Sequence, residues 1–363
     1  MFKKDLITSI DELSSYVEMS DTEKEMLTAV SESSPFMTTK YYVSLIDKDD
    51  PNCPLRKLQI PTAEEMSQEG DLDTSGEKDN TKLQGLQHKY DSTALILSTN
   101  ACAMYCRYCF RKRLVGLSNA EVLSKFDEAI EYIKQHKEIN NVLISGGDSF
   151  FLPTYVIKQF LEKLSSIDHV DFIRFGTRIP VVLPDRISED EELLSILRKY
   201  SKSNKRIYIV TQFNHPRELT EESIRAINAL QDANCIINNQ TVLLRGINDN
   251  SDVLADLMNG LVKNGVNPYY VFQCRPVKGV KKHFQLPFDQ GIDIVENARV
   301  KLNGHSKRFK FIMSHKTGKI EILGKYKDDI MFKYYHSPMK ERIGKIFTVE
   351  NDNEIAWLDE INI

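Results

Sequence analysis

Cysteine is scarce: the 363 residues carry six. That is too few to staple a chain of this size, which excludes a disulfide-held secreted scaffold. Long apolar runs are missing too. No stretch approaches the roughly 18–20 residues that a bilayer span needs. The opening, MFKKDLITSIDELSSY, has acids where a signal peptide carries its apolar core. No membrane association and a cytoplasmic location are the expectation. Charge of one sign is not in excess, with 48 Lys and Arg against 52 Asp and Glu. A broad nucleic-acid-binding face is therefore not expected. Internal repeats are absent. No GxGxxG follows the first predicted strand, which argues against a dinucleotide-binding fold.

What is there organises into three parts. Residues 1–88 read as a helical collar or lid, with Ser20 as an N-cap and Glu23 three residues later. Within it, residues 67–80 (SQEGDLDTSGEKDN) are acidic and aperiodic, the pattern of an exposed loop. Residues 89–330 alternate short β-rich runs with amphipathic segments. The runs are ALILSTN, NNVLISGG, DFIRFGT, RIYIVTQF, CIINNQTVLL, PYYVFQC and RFKFIMSH. Such alternation implies an α/β fold of βα units on a parallel sheet. About six units in ~220 residues favour a full or partial barrel over a doubly wound sheet. Residues 331–363 form a charged, weakly patterned tail with no assigned role.

The sharpest signal is Cys102-Ala-Met-Tyr-Cys106-Arg-Tyr-Cys109, directly after the first barrel strand. Three thiolates on one short loop can hold three irons of a 4Fe–4S cluster and leave the fourth iron open to a small molecule. Structural zinc prefers four closed ligands, and Cys53, Cys235 and Cys274 stand alone. Zinc and plain packing stay open as alternatives at this point. Tyr108, beside Cys109, suits a loop that shields a cofactor. Ser145-Gly146-Gly147-Asp148 ends the second strand, where glycines let a backbone approach a ligand closely. Alone, it is equally a turn.

Together these motifs resemble the radical S-adenosylmethionine superfamily, in which the open iron chelates S-adenosylmethionine and its cleavage yields a 5′-deoxyadenosyl radical. The resemblance sharpens to the lysine 2,3-aminomutase family through YYVSLIDKDDPNCPLRKLQIPT, CAMYCRYCFRKR, GTRIPVVLPDRI, QFNHPRELTEES, NNQTVLLRGINDN and PYYVFQC. It implies a partial (βα)6 barrel and an enzyme that moves an amino acid's α-amino group to the β-carbon. It places Gly146, Gly147, Asp148, Arg178 and Gln240 at S-adenosylmethionine, and His215 near the adenosine. It implies pyridoxal phosphate on Lys319, with Lys316 as the competing lysine and Gly318 giving the cofactor passage. Lys89 and Tyr90 take the phosphate where the family pattern has Arg-Tyr. Arg111 takes the substrate carboxylate. An external electron donor of flavodoxin or ferredoxin type is implied, and a homo-oligomer is left open.

Two departures matter. The lysine enzymes place an aspartate after the YQC-like strand end, and here Arg275 follows Gln273-Cys274. The family's second acidic contact falls in a region that is basic here, residues 303–308 (NGHSKR). Both point to a substrate with an acidic or neutral side chain, glutamate first, unless Arg275 turns outward or pairs with an internal acid. No cysteine follows Cys274, so structural zinc is not expected. A radical S-adenosylmethionine enzyme without pyridoxal phosphate, and an iron–sulfur protein that binds ligand without turnover, remain alternatives on sequence alone.

Overall fold

The computed structural model describes residues 3–50, 52–117 and 119–360. Residues 1–2 of the N-terminal region and 361–363 of the tail lie outside the described residues. The N-terminal region pairs β1 (Leu6–Ile7) with β2 (Thr38–Thr39) and carries α1 (Ile10–Leu13), α2 (Asp21–Ser33), α3 (Lys40–Ser44) and α4 (Pro54–Gln59). Ser20 caps α2 as its sequence implies. Its hydroxyl accepts from the Glu23 N–H at 3.1 Å, satisfying a donor the helix itself leaves free. Leu27 and Val30, three residues apart on that helix, are buried together.

The chain then enters the main sheet with β3 (Thr81–Leu83), β4 (Leu86–Tyr90) and β5 (Thr93–Thr99). Alternation follows: α5 (Phe126–Gln135), β6 (Asn141–Gly146), α6 (Thr154–Ser165), β7 (Phe172–Gly176), α7 (Ile179–Val182), α8 (Asp185–Ser188), α9 (Glu191–Tyr200) and β8 (Ile207–Thr211). It continues through α10 (Glu221–Asp232), β9 (Ile236–Leu243), α11 (Ser251–Lys263), β10 (Asn267–Gln273), α12 (Lys281–Phe284), α13 (Phe288–Val300) and β11 (Lys310–His315). An antiparallel extension closes the order with β12 (Gly318–Tyr326), β13 (Asp329–His336) and β14 (Ile346–Glu350).

β3 to β14 form one mixed sheet in sequence order. β5 to β11 run parallel, each hydrogen-bonded to the next. The seven apolar runs named above are these strands. Their period of two sorts the side chains. In β7, Ile173 and Phe175 are buried against the helices, while Arg174 faces the other way. The two ends of the sheet meet through side chains. Lys89 on β4 donates to the His315 carbonyl of β11 at 2.9 Å, and the Tyr90 ring lies 5.6 Å from that of His336. The sheet therefore curls around a single interior. Among the described residues no helix is long and apolar enough to cross a membrane.

One expectation changes. Residues 67–80 form a loop, but it is not simply exposed: Thr74, Ser75 and Glu77 are buried. The positive interior draws Glu77 inward. The tail packs onto the fold. Trp357 is buried, and the Phe288 N–H donates to the Ile355 carbonyl at 2.8 Å.

The N-terminal region is clamped to the cysteine loop by one buried carboxylate. Glu65 accepts from Arg107 Nε at 2.8 Å and Nη2 at 2.5 Å, and it pairs with Lys112 as well. Burial opposes the Glu65 charge, but Arg107 and Lys112 outweigh it and hold the carboxyl below its usual range. Its contribution to stability is thus present above the ordinary carboxylate range and fades as pH falls through the depressed value. Glu65→Ala strands a guanidinium that is 2% exposed. Denaturant unfolding should show a loss of ~3–5 kcal/mol, as when one partner of a buried pair is removed.

Candidate active site

The curled sheet encloses a cavity of about 400 Å³, lined from β4, from the C-terminal ends of the parallel strands and from β12. This is the size and place expected for organic ligands in an α/β sheet. At one wall stand Cys102, Cys106 and Cys109, all unpaired. Their loop is pinned to the N-terminal region by the Tyr105 N–H on the Met37 carbonyl (2.9 Å) and the Arg107 N–H on Leu58 (3.0 Å). Burial pushes the Cys109 thiol up to about 11 and Cys102 well above its usual value, and the neighbouring sulfurs add to both. A metal bound there would take the place of the thiol protons. The donor set fits three corners of a 4Fe–4S cluster.

The glycines after β6 serve this loop directly. A Cβ on Gly146 would meet the Thr99 carbonyl oxygen at 2.3 Å, and one on Gly147 the Ala101 oxygen at 2.3 Å. Gly146 also has φ +117°, open only to glycine at low cost. Asp148 spends its oxygens within the chain. It accepts from Thr177 Oγ1 and the Arg178 N–H, both at 2.6 Å, and from the Phe150 N–H at 2.9 Å. It therefore orders the next strand end. Gln240 and Arg178 line the cavity. His215 does not: its Nδ1 accepts from the Arg217 N–H and caps the turn Pro216–Glu218. Its place near an adenosine is not supported.

Lys319 stands on β12 at the opposite wall, its Nζ 4.8 Å from the centre of the Tyr270 ring. Burial, then Arg174, Arg275 and Lys89, bring its ammonium down to about 7. Among the described residues no acid offsets these effects, so much of it is a neutral amine near pH 7. Lys316 points outward and pairs with Asp359 at 3.0 Å on the surface. Of the two lysines, Lys319 lines the cavity and Lys316 does not.

Around Lys319 the wall is basic. Lys89 donates to the Ser75 and His315 carbonyls, each at 2.9 Å, and burial with Arg275 lowers it to about 8. Tyr90 and His336 stand beside it. Arg174, which the sequence reading passed over, donates Nε–H to Asn141 Oδ1 at 2.7 Å and, among the described residues, pairs with no carboxylate. Its signal was a lone charge within the strand FIRFG. Lys89, Arg111, Arg174, Arg178, Arg275 and Lys319 line the cavity, against Glu77 and Asp148. Such a wall fits phosphate and carboxylate groups.

Arg111 reaches the cavity but is engaged. Its Nη2 lies 3.0 Å from Glu77 Oε1, and Glu77 also pairs with Arg113. Burial opposes the Glu77 charge, yet Arg111 and Arg113 hold it at about 2. Glu77 is the second residue that sequence reading missed, hidden in a loop whose composition says solvent. Arg275 faces inward. It stacks 4.1 Å over the Phe110 ring and donates to Ser75 Oγ at 2.8 Å and Ser314 Oγ at 3.0 Å. Among the described residues no carboxylate forms an ion pair with it. The basic segment 303–308 does not line the cavity, so the residue beside Arg275 is Ser314, not that loop.

The family model described as "Radical SAM superfamily" matches residues 96–258. The L-lysine 2,3-aminomutase of Clostridium subterminale is 41% identical over 82% of this chain and 71% of its own. That of Fusobacterium nucleatum is 40% identical over 84% and 70%. The glutamate 2,3-aminomutase of Clostridioides difficile is 39% identical over 81% and 68%. With three clustered thiols, a basic cavity and kinship across most of its length, the chain belongs to the lysine 2,3-aminomutase family of radical S-adenosylmethionine isomerases.

Proposed function

We propose that the protein is a pyridoxal phosphate-dependent amino acid 2,3-aminomutase whose substrate carries an acidic side chain, with glutamate the leading case. The observation that carries this is the placing of the cysteine trio and the acid-free Lys319 around one cavity, with Arg275 turned into it. The family's cofactors are a 4Fe–4S cluster, S-adenosylmethionine and pyridoxal phosphate. When bound, they supply a hydrogen-abstracting radical and a conjugated carrier for the migrating amino group.

The chain's own residues hold and position. Cys102, Cys106 and Cys109 hold the cluster. Gly146, Gly147 and Gln240 flank S-adenosylmethionine, with Asp148 keeping Thr177 and Arg178 in place. Lys319 offers an amine that is neutral near pH 7, the form that attacks a carbonyl. Lys89, Tyr90 and Arg174 suit a phosphate, Lys89 as a point charge and Arg174 as a fork. Arg111 serves the substrate's α-carboxylate once Glu77 gives way, and Arg275 its side-chain carboxylate. The curl of the sheet is read as a partial (βα)6 barrel spanning residues 89–330. The region 1–88 lies across its mouth and 331–363 forms an appended tail. That enclosure keeps water and stray hydrogen donors from a reactive carbon radical. The external one-electron donor is of flavodoxin or ferredoxin type. Six unpaired cysteines fit a reducing, cytoplasmic compartment.

Anaerobic reconstitution followed by product analysis tests this. Glutamate should yield its β-isomer, and lysine should turn over far more slowly. Turnover of lysine alone removes the side-chain reading. Absence of any β-amino acid, with cluster and pyridoxal phosphate both loaded, removes the reaction. Replacing Cys102, Cys106 and Cys109 by Ser together should abolish iron loading and the electron paramagnetic signal. Pyridoxal phosphate binding at Lys319 should persist.

A further inference from the structure

Arg178 was expected to face S-adenosylmethionine, but its donors are committed elsewhere. The guanidinium is buried at the end of β7. Nε donates to the Gln212 carbonyl at 3.0 Å. Nη2 donates to the Tyr42 hydroxyl at 3.3 Å and pairs with Glu218. Nη1 points at Cys106 Sγ at 3.2 Å. Glu218 is fully buried and cannot drift: it also accepts from the Tyr42 hydroxyl at 2.5 Å, the Asn214 N–H at 2.6 Å and the His215 N–H at 3.1 Å. A fixed positive charge is thus aimed at one sulfur of three. Among the described residues no guanidinium or ammonium donates to Cys102 or Cys109.

We propose that Arg178 sets the reduction potential of the cluster through Cys106, with Glu218 and Tyr42 as the positioning residues that hold it there. The inference rests on the cluster reading above. In reduction the cluster gains one electron from the external flavodoxin- or ferredoxin-type protein, which is oxidised by one, and no proton moves. The cluster's net charge falls by one. A hydrogen bond and a positive charge at a ligand sulfur favour that more negative state and raise the potential. Buried Glu218 opposes this by its charge and supports it by its geometry. Tyr42 comes from the N-terminal region, so that region takes part in the tuning.

The two charges predict opposite signs. The full chain is reconstituted anaerobically without S-adenosylmethionine, and its midpoint is read by electron paramagnetic redox titration. Arg178→Gln should disfavour reduction about tenfold, a fall of about 59 mV for one electron. Glu218→Gln loses the opposing charge while one amide oxygen still accepts from Arg178 and Tyr42, at the cost of the Asn214 and His215 N–H bonds, and its midpoint should rise. Arg178→Lys keeps the charge and should stay nearer the parent, which guards against a Gln variant that folds poorly. Iron content and circular dichroism accompany each variant. Unchanged midpoints in iron-loaded variants, or shifts of one sign in both, overturn the proposal. So does an Arg178→Gln variant that weakens only S-adenosylmethionine binding. A parent chain that loads no iron sinks the cluster reading itself, whereas a loaded parent with flat variants sinks only this inference.

Discussion

Lys319→Ala should lower amino-group migration by roughly a thousandfold or more, because the step loses the lysine proposed to hold the cofactor. The yellow absorbance of lysine-bound pyridoxal phosphate should vanish, while iron content and the cluster's paramagnetic signal stay. Lys316→Ala, on the surface beside Asp359, should change neither. A pH experiment goes further. Attachment of pyridoxal phosphate needs the neutral amine, and Lys319 is brought down to about 7 by burial and by Arg174, Arg275 and Lys89. The attachment rate should therefore rise about tenfold per pH unit below about 7 and flatten above it. An ordinary lysine would still be climbing at pH 9. Arg174→Gln removes one repelling charge, so the ammonium is easier to keep and the plateau should move to higher pH. A plateau that does not move means Arg174 does not act on Lys319. A Lys319→Ala enzyme that keeps both colour and turnover means the cofactor is held elsewhere.

The sequence made the scaffold legible because its signals are local. Seven runs of alternating or continuous apolar residues can only be strands if amphipathic helices separate them, and all seven are. Ser20 and Glu23 mark a helix start by hydrogen-bond need alone. The cysteine spacing is chemistry written in the chain. What was hidden depends on the field of the folded interior. Glu77 sits in an acidic, glycine-containing stretch that composition assigns to water, yet Arg111 and Arg113 give its carboxylate a better partner than water. Arg174 looked like part of a strand, and only closure of the sheet brings it toward Lys319 from the far side. Segment 303–308 was expected beside the substrate, but Ser314 is the residue that meets Arg275, because where a long connection lands is not a local property. The partners of Arg178 were hidden for a similar reason. Its strand-end position was right, but Glu218 and Tyr42 turn its fork toward Cys106.

Arg275→Asp should reverse the preference of the site. In the parent, a lysine substrate would bring its ammonium toward a half-buried guanidinium that, among the described residues, has no paired acid. Like charges about 4 Å apart at an effective dielectric near 20 repel by roughly 4 kcal/mol, about a thousandfold in binding. The same arithmetic favours a side-chain carboxylate. With aspartate at this position both signs invert, so kcat/KM for glutamate should fall by about that factor and lysine should gain. The gain should be smaller than the loss. Asp73 and Glu77 already act on the Arg275 charge, and they would repel the new carboxylate and raise its pKa. Ser314 offers the remedy, since its Oγ lies 3.0 Å from Nη2. Ser314→Asp added to Arg275→Asp would let two carboxylates share one ammonium, and lysine turnover should rise beyond either single change. Ser75→Ala removes one of the two hydroxyls that aim the guanidinium and should raise KM for glutamate more than it lowers kcat. Parallel losses for glutamate and lysine in Arg275→Asp, with iron and pyridoxal phosphate retained, would make Arg275 a packing residue over Phe110 rather than the reader of substrate charge.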